Sequence, residues 1–369
     1  MNNSCKKILV VGQTPPPFGG QAIMIEKMLS GTYKKIELFH VRMAFSKEMD
    51  EIGKLKIFKI IHLPVVIFKI IYYRFRYNID TLYYPPTGPN IIPFFRDSII
   101  LILTRPFFKN TCFHFHAGGI SELHPTLPPF LKLLFKKAYF NVDLGIRLSE
   151  NSPDDCVKLG VKKEHIVPNG IEDNYLNSHT VKTPNNICTI LFVGLLSESK
   201  GLNILISACN ILKNKGLNFS VYIMGKFESI EFEKKVKDRI VEYKLDKFIT
   251  FLGVLTGAKK NEAYMNSDVF CFPSFFEAEN FPVVLLEASS FSLPIVSTQW
   301  RGIPSIVVHD VSGFLAPIKD HSAIAGYLEL LISDLELRTR MSAKGRERYL
   351  KKWTMAKFYE NIENALSSI

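Results

Sequence analysis

Two glutamates and one lysine have the residue types and surroundings that best suit the binding of an elongated, charged ligand. The run PSFFEAENFPVVLLEASS, residues 273–290, places seven residues between Glu279 and Glu287. Pro282 suits the first position of a helix that continues through Glu287. Because eight helical residues rise about 12 Å, the two carboxylates are too far apart to serve one bond as acid and base. We expect them to contact two parts of one ligand.

Helix starts near these residues predict that the ligand carries negative charge. Backbone N–H groups around Phe281, Val283 and Val284 fall at the start of the helix, where they lack acceptors within it and attract anions and hydroxyls. Lys200, in LFVGLLSESKGLNILISA (residues 191–208), stands at another predicted helix start. The helix dipole disfavours a cation there, so this placement is reasonable if an anion is bound beside it.

The elements that must position these residues alternate between predicted strands and predicted helices. Short apolar runs at residues 8–11, 190–193, 220–224 and 269–272 are each followed by a loop and an amphipathic stretch. This alternation predicts parallel sheets covered by helices on both faces. A polar segment, 178–186, precedes a new strand, so we place a domain boundary at 180/181. Ligands of such sheets bind beyond the carboxyl ends of the strands, which predicts a site between the two domains.

Composition limits the classes of partner and compartment. The 369 residues are 47% hydrophobic, enough for two cores, and the net charge of +11 indicates an anionic partner. Basic residues are interleaved with aliphatic ones and no recognition motif occurs, so we do not expect nucleic acid. Six scattered cysteines indicate neither a zinc site nor a disulfide framework. The chain starts with a short strand-like run instead of a signal peptide, and a cytoplasmic protein is expected.

Residues 54–78 combine apolar and basic side chains without one acidic residue. Only nine residues separate Lys59 from Lys69, and Pro64 lies among them. A helix that spans a membrane needs about 20 mainly apolar residues. The pattern predicts a helix lying on an anionic membrane surface; a buried helix with snorkelling basic side chains is the alternative. A second apolar stretch, 91–108, is expected to be an ordinary packed helix. The predicted membrane contacts are Lys54, Lys56, Lys59, Lys69, Arg74 and Arg76.

Two further motifs follow predicted strands near the amino-terminal half. FHFHAGG, residues 113–119, places His114 and His116 on one face of a strand. No third ligand stands at suitable spacing and the chain has no Asp-x-Asp, so no metal site is predicted. VVGQTPPPFGGQAIM, residues 10–24, leads from a strand to Gly19 and Gly20 before a helical pattern. It is not the dinucleotide fingerprint, and by itself a glycine pair indicates only a tight turn.

Together, the Glu-x7-Glu element, the lysine loop, the glycine loop and the histidine strand resemble the retaining family-four glycosyltransferases of GT-B fold, over nearly the whole chain. The resemblance implies two Rossmann-like parallel-sheet domains facing across a cleft: an acceptor-binding domain, 1–180, and a nucleotide-sugar-binding domain, 181–350. Residues 351–369 would form a helix that crosses back to the first domain.

The family's site residues correspond to defined positions here. By this resemblance Lys200 binds the donor diphosphate, Glu287 holds the ribose hydroxyls, and His116 lies beside the transferred sugar. The implied catalytic residues are Glu279, Lys200 and His116. The implied donor-binding residues are Gly19, Gly20, Lys200, Glu279, Asn280, Phe281, Pro282, Val283 and Glu287.

The resemblance also implies the reaction. A hexosyl or N-acetylhexosaminyl group would pass, without a metal, from a UDP- or GDP-linked sugar to a polyprenyl-diphosphate-linked glycan in bacterial surface-polysaccharide synthesis. The enzyme would be peripheral on the inner face of the cell membrane. This chain has Leu195 where the family usually has Arg, Ser292 in place of Gly and Ser305 in place of an acidic residue. The departures at Leu195 and Ser305 leave an inactive sugar-nucleotide-binding protein as one alternative, and a GT-B glycosyltransferase with a soluble acceptor is the other.

Overall fold

The computed structural model describes residues 5–16, 19–45, 57–175 and 187–369. The chain forms two compact units, one of Met1–Asn169 with Met355–Ile369 and the other of Gly170–Thr354. The first division therefore lies at Asn169/Gly170 and not at the expected 180/181; segment 178–186, on which that expectation depended, is outside the described residues. The second lies at Thr354/Met355 and not at 350/351, because the helix that ends at Lys352 packs within the second unit.

The first unit is built on a six-stranded parallel sheet in the order β2-β1-β3-β4-β5-β6. Alternate residues of the first strand enter different cores: Leu9 and Val11 on one face, Ile8 and Val10 on the other. A sheet buried on both faces requires such a continuous apolar run. The strands are β1 (Lys6–Gly12), β2 (Ile36–Arg42), β3 (Thr81–Tyr84), β4 (Asn110–Phe115), β5 (Leu144–Arg147) and β6 (Lys163–Ile166).

Helices cover both faces of this sheet. α1 (Gly20–Ser30) and the last helix of the chain, α14 (Met355–Leu366), pack on one face. α2 (Ile57–Arg76), α3 (Ile91–Thr104) and α5 (Pro129–Tyr139) pack on the other. The short helices α4 (Ile120–Leu123) and α6 (Asp155–Lys158) lie in connections. In the ranges that the structure describes, no helix is both long enough and apolar enough to cross a bilayer.

The second unit holds another six-stranded parallel sheet, in the order β12-β11-β10-β7-β8-β9. From β7 the chain builds outward through β8 and β9, then returns to the other side of β7 to form β10. Ligands of α/β sheets bind where the strand order reverses in this way. The strands are β7 (Cys188–Val193), β8 (Phe219–Met224), β9 (Ile249–Gly253), β10 (Val269–Phe272), β11 (Ile295–Thr298) and β12 (Gly313–Ala316).

Helices connect the strands of the second unit, and two of them begin shortly after Lys200 and Glu279. Their ranges are α7 (Leu202–Asn214), α8 (Ile230–Glu242), α9 (Gly257–Met265), α10 (Val283–Ser290), α11 (Ile303–Ile306), α12 (His321–Ser333) and α13 (Leu335–Lys352). The four strands predicted from apolar runs are confirmed as β1, β7, β8 and β10. The predicted class, α/β with two Rossmann-like parallel-sheet domains, is also confirmed.

Candidate functional site

The loops after β7 and β10 bring Lys200 and Glu279 into direct contact. Lys200 Nζ lies 2.6 Å from Glu279 Oε2, and Ser274 Oγ donates a hydrogen bond to the same oxygen at 2.8 Å. The two charged side chains are only 18% and 9% exposed. β7 and β10 are adjacent strands at the reversal point of the sheet, so residues 79 positions apart in sequence form one half-buried ionic centre.

Aromatic rings surround the ammonium group of this pair. Lys200 Nζ lies 4.3 Å from the centre of the Phe276 ring and 5.7 Å from that of Phe272, distances at which a cation is attracted to the ring face. Trp300 Nε1 donates to the Phe276 carbonyl at 2.8 Å, which holds the loop. The Lys200 ammonium group is thus held in one orientation, and its side chain stays 18% exposed to solvent.

Gly201 allows the lysine loop to approach the glutamate loop. It precedes α7 with a φ of +83°, and a Cβ at this position would lie 2.1 Å from the Pro273 carbonyl oxygen. The same two loops are joined by a hydrogen bond, in which the Phe275 N–H donates to the Ser199 carbonyl at 2.8 Å. Only glycine combines a left-handed backbone with this close approach.

Gly201→Ala is therefore expected to lower the free energy of unfolding by about 2–4 kcal/mol, because left-handed strain and steric overlap add. Urea denaturation measures this loss. Gly216→Ala is the matched control, since Gly216 has a φ of +74° but a Cβ there would meet no atom within 4 Å; strain alone should cost about 1 kcal/mol at that position. Equal losses in the two variants would contradict the close-approach argument.

Glu287 is held at both carboxylate oxygens by α9. Lys260 Nζ lies 2.6 Å from Oε1, and the Tyr264 hydroxyl donates to Oε2 at 2.8 Å. Burial and the adjacent Glu287 raise the pKa of Tyr264 well above its usual value, so the phenol stays a donor. The Tyr264 ring stacks on Phe291 at 5.3 Å. Sequence reasoning missed Lys260 and Tyr264, although their i, i+4 spacing places them on one side of a helix.

The residues between the two glutamates form the entry to α10. Asn280 and Phe281 are buried, and the Phe281 ring packs on Trp353 with 6.3 Å between ring centres. Pro282 precedes the helix as its N-cap, with an extended ψ of 116°, and Val283 is the first helical residue. The expectation that Pro282 takes the first helical position is thus wrong by one residue. The N–H groups of Val283 and Val284 fall in the first turn, where no acceptor exists within the helix.

Gly19 and Gly20 stand at the amino terminus of α1, after β1 in the first unit. Gly19 caps the helix with ordinary extended angles, φ −94° and ψ 156°, and a Cβ on Gly20 would meet nothing within 4 Å. Neither glycine is thus required by local strain. Their lack of side chains leaves the backbone at this helix start open to approach.

His116 follows β4 and is half-buried against a second histidine. Its ring centre lies 3.9 Å from that of His114, and His114 Nδ1 shares a hydrogen bond of 2.6 Å with the Tyr83 hydroxyl. Burial lowers the pKa of His116 to about 3 and that of His114 well below its usual value. At neutral pH His116 is therefore uncharged, suited to bonding a hydroxyl and unsuited to pairing with phosphate. Asp155 holds the next loop by accepting from the Gly119 and Ser121 N–H groups at 2.7 and 2.8 Å.

The basic helix predicted to contact a membrane is only partly described. Lys54 and Lys56 lie outside the described residues, and for Lys59, within α2, only the backbone is described. Lys69 and Arg76 are exposed. Arg74 pairs with Asp80 at 3.2 Å and donates to the Phe107 carbonyl at 2.7 Å. Its side chain is only 14% exposed, so these contacts hold Arg74 at the end of α2.

Within the described ranges no three His, Cys, Asp or Glu side chains come together as a metal would require. Metal independence of the activity stays a prediction.

Comparison with solved structures defines the fold of the chain. The structure of Anabaena HepE in complex with UDP matches with a TM-score of 0.74, covering 98% of this chain and 100% of that one at 18% sequence identity. At this identity the likeness concerns the fold alone. The GT-B fold expected from the sequence is confirmed.

Sequence comparison adds the relatives. Residues 177–348 match the family model described as Glycosyl transferases group 1. The putative colanic acid biosynthesis glycosyltransferase WcaL of Escherichia coli is 31% identical over 219 residues, 57% of this chain and 52% of that protein. The amylovoran biosynthesis glycosyltransferase AmsK of Erwinia amylovora is 30% identical over 220 residues, 58% and 53% of the two chains. The chain thus spans about half the length of the curated relatives it matches, and it is similar to group 1 glycosyltransferases over most of its second unit.

Proposed function

We propose that this protein is a retaining, metal-independent glycosyltransferase of surface-polysaccharide synthesis. It transfers a hexosyl or N-acetylhexosaminyl group from a UDP- or GDP-linked sugar to a membrane-associated glycan carried on polyprenyl diphosphate. The GT-B fold, the group 1 match over residues 177–348 and the similarity to proteins named for colanic acid and amylovoran biosynthesis support this proposal.

The observation that carries the proposal is the contact between Lys200 and Glu279 at the reversal point of the second sheet. A half-buried ammonium 2.6 Å from a carboxylate offers a cation for a diphosphate and an acceptor for sugar hydroxyls at one place. Glu287, held by Lys260 and Tyr264, lies within α10, the helix that follows Glu279, and keeps acceptor capacity for ribose hydroxyls. These residues suit a ligand with a sugar, two phosphates and a ribose.

In the proposed reaction the bond between the anomeric carbon and the donor phosphate oxygen breaks. The acceptor hydroxyl oxygen bonds to that carbon from the face on which the nucleotide leaves, and the departing phosphate takes the hydroxyl proton. No carboxylate base is then required. Lys200 stabilises the negative charge that develops on the leaving diphosphate, a kind of electrostatic contribution that is often the largest in catalysis. We assign His116, neutral at pH 7, to a hydroxyl of the transferred sugar.

A thermal-shift screen over UDP- and GDP-linked sugars tests the donor assignment. A ligand at about 100 times its Kd stabilises the native state by about 2.7 kcal/mol, so the true donor should raise Tm by several degrees. The variant K200M/E287Q should lose this shift, which is measured against the variant's own unliganded Tm. Absence of a shift with every nucleotide sugar would contradict the proposal.

Product analysis with the selected donor separates the remaining alternatives. Transfer to a polyprenyl-diphosphate-linked sugar but not to the free oligosaccharide is the expected result, with the anomeric configuration of the product retained in its NMR spectrum. Transfer to free oligosaccharide at the same rate would favour a soluble acceptor. Donor binding without hydrolysis or transfer would identify an inactive binding protein, and an inverted product would refute the retaining mechanism.

A further inference from the structure

The outer side of α3 carries a continuous apolar stripe. Its members are four residues apart, one per helical turn, and each is 40–50% exposed. The sequence led us to expect an ordinary packed helix here. The inner side fulfils that expectation, because Phe94, Ile100 and Leu101 are buried; the outer side does not. The stripe consists of Ile91, Phe95, Ile99 and Leu103.

The stripe continues onto the helices at either side. α3 packs against both α2 and α5. Phe130 and Leu133 of α5 are each 72% exposed, and Phe107, in the turn after α3, lies 5.9 Å from the Phe75 ring of α2. We refer to the exposed apolar residues of α2, α3, α5 and this turn as the three-helix face. In addition to the α3 stripe it comprises Val65, Phe68, Tyr72, Phe75, Phe107, Phe130 and Leu133.

All three helices lie on one side of the first sheet. Val66 of α2, Phe94 of α3 and Phe135 of α5 belong to one core together with Leu9 and Phe113 of the sheet. The sides opposite that core must therefore point away from the sheet in a common direction. A monomeric protein rarely exposes so many adjacent large apolar side chains unless they form an interaction surface.

The charge on these helices is of one sign. In α2, α3 and α5 the only acidic residue is Asp97. It is fully buried and accepts hydrogen bonds from Tyr84 and Arg96 at 2.7 and 2.8 Å, so it contributes no exposed negative charge. The basic residues of the three helices are Lys59, Lys69, Arg74, Arg76, Arg96, Lys132, Lys136 and Lys137.

We infer that the three-helix face is a docking surface for an anionic lipid bilayer. Its aromatic and aliphatic side chains would enter the boundary between headgroups and acyl chains, with exposed Lys69, Arg76, Lys136 and Lys137 on the lipid phosphates. The inference rests on the proposed function for its biological setting. It extends the predicted membrane contact from one basic helix, α2, to a surface formed by three helices. A second copy of this chain fits less well, because symmetric pairing would oppose like charges across the apolar surface.

Vesicle flotation of the full chain tests this inference. The vesicles contain phosphatidylcholine with about 30% phosphatidylglycerol, a source of the anionic surface potential. Wild-type protein should float with these vesicles, and I99Q/L103Q should lower the partition coefficient about tenfold or more, because two apolar side chains lose their transfer from water. I230Q/L335Q is the matched control, since Ile230 and Leu335 are 82% and 65% exposed in the second unit; it should float like wild type.

The charge contribution is tested separately with K136Q/K137Q. This variant should lose most of its preference for the anionic vesicles over pure phosphatidylcholine, and added salt should weaken wild-type binding in the same way. Circular dichroism melting of every variant establishes that folding is retained.

The inference would be overturned if wild-type protein did not float, or if the I99Q/L103Q variant floated like its control. It would also be overturned if light scattering showed wild type to be a dimer and I99Q/L103Q a monomer, because the face would then belong to a contact with a second copy. The thermal shift caused by the donor is measured on the same protein preparations. Intact donor binding without flotation would reject only this inference, whereas flotation without donor binding would reject the proposed function.

Discussion

Replacing Lys200 by methionine is expected to lower kcat about 10²–10³-fold with the donor KM changed only a few-fold. The reason is that the charge on the leaving diphosphate grows toward the transition state, so the ammonium contributes most there. The methionine keeps much of the packing against Phe276, whose ring centre lies 4.3 Å from Lys200 Nζ. Steady-state kinetics with the donor identified by thermal shift measure both constants.

Lys200 also neutralises Glu279, and that second role must be separated from catalysis. With the ion pair 18% and 9% exposed, removal of the lysine leaves a poorly solvated carboxylate bonded to Ser274. We expect K200M to lose about 1–3 kcal/mol of unfolding free energy. K200M/E279Q should regain part of that stability without regaining activity, because it removes the orphaned charge but not the need for the cation.

A surface ion pair provides the control for this experiment. Lys215 and Glu329 are paired with side chains 50% and 34% exposed, so K215M should cost at most about 1 kcal/mol and leave kcat unchanged. If K200M retained wild-type kcat, or if the double variant recovered activity, the assignment of Lys200 to the leaving group would be refuted.

Much of the fold was predictable because the physical signal is local. A strand buried on both faces must be apolar at every position, and the runs at 190–193 and 269–272 correspond to β7 and β10 for that reason. The family resemblance then named Lys200 and Glu279. It did not identify Ser274 or the aromatic rings beside the lysine, since those contacts depend on how two loops from separate strands meet.

The three-helix face shows where an apolar pattern is ambiguous. α3 is apolar on nearly all sides, and such a helix is expected to be buried all round. Whether its outer side is covered depends on how many layers of structure pack on the sheet. The local sequence of α3 does not determine that number. The structure leaves Ile99 and Leu103 at 40% and 50% exposure.

One departure from the family pattern has a conformational explanation. Ser292, where the family usually has Gly, has a φ of +57° two residues after the end of α10 at Ser290. Helices commonly end with a left-handed residue at this place, most often glycine. The family glycine thus marks a helix end, and serine adopts the same backbone at some cost, so this substitution does not weaken the case for the donor site.

Replacing Glu287 by alanine is expected to raise the donor KM about 100-fold while kcat stays within a few-fold of wild type. Two hydroxyl groups bonded to one carboxylate contribute together about 3 kcal/mol, roughly two orders of magnitude in affinity. The ribose is remote from the reacting carbon, so the loss falls on binding in ground and transition states alike. The Ki of the matching nucleoside diphosphate should rise in parallel. The Ki of inorganic pyrophosphate, which has no ribose, should not change.

The partners of Glu287 make this prediction more specific. Tyr264→Phe removes the hydrogen bond to Oε2 but keeps the ring stacked on Phe291, so the carboxylate loses one anchor without a cavity. Lys260→Met removes the 2.6 Å contact at Oε1. Each variant should raise the donor KM by about three- to tenfold, the equivalent of one modest hydrogen bond, and neither should add to the effect of Glu287→Ala. A nucleoside diphosphate Ki that is unaltered in Glu287→Ala, or a pyrophosphate Ki that rises with it, would show that this carboxylate does not hold the ribose.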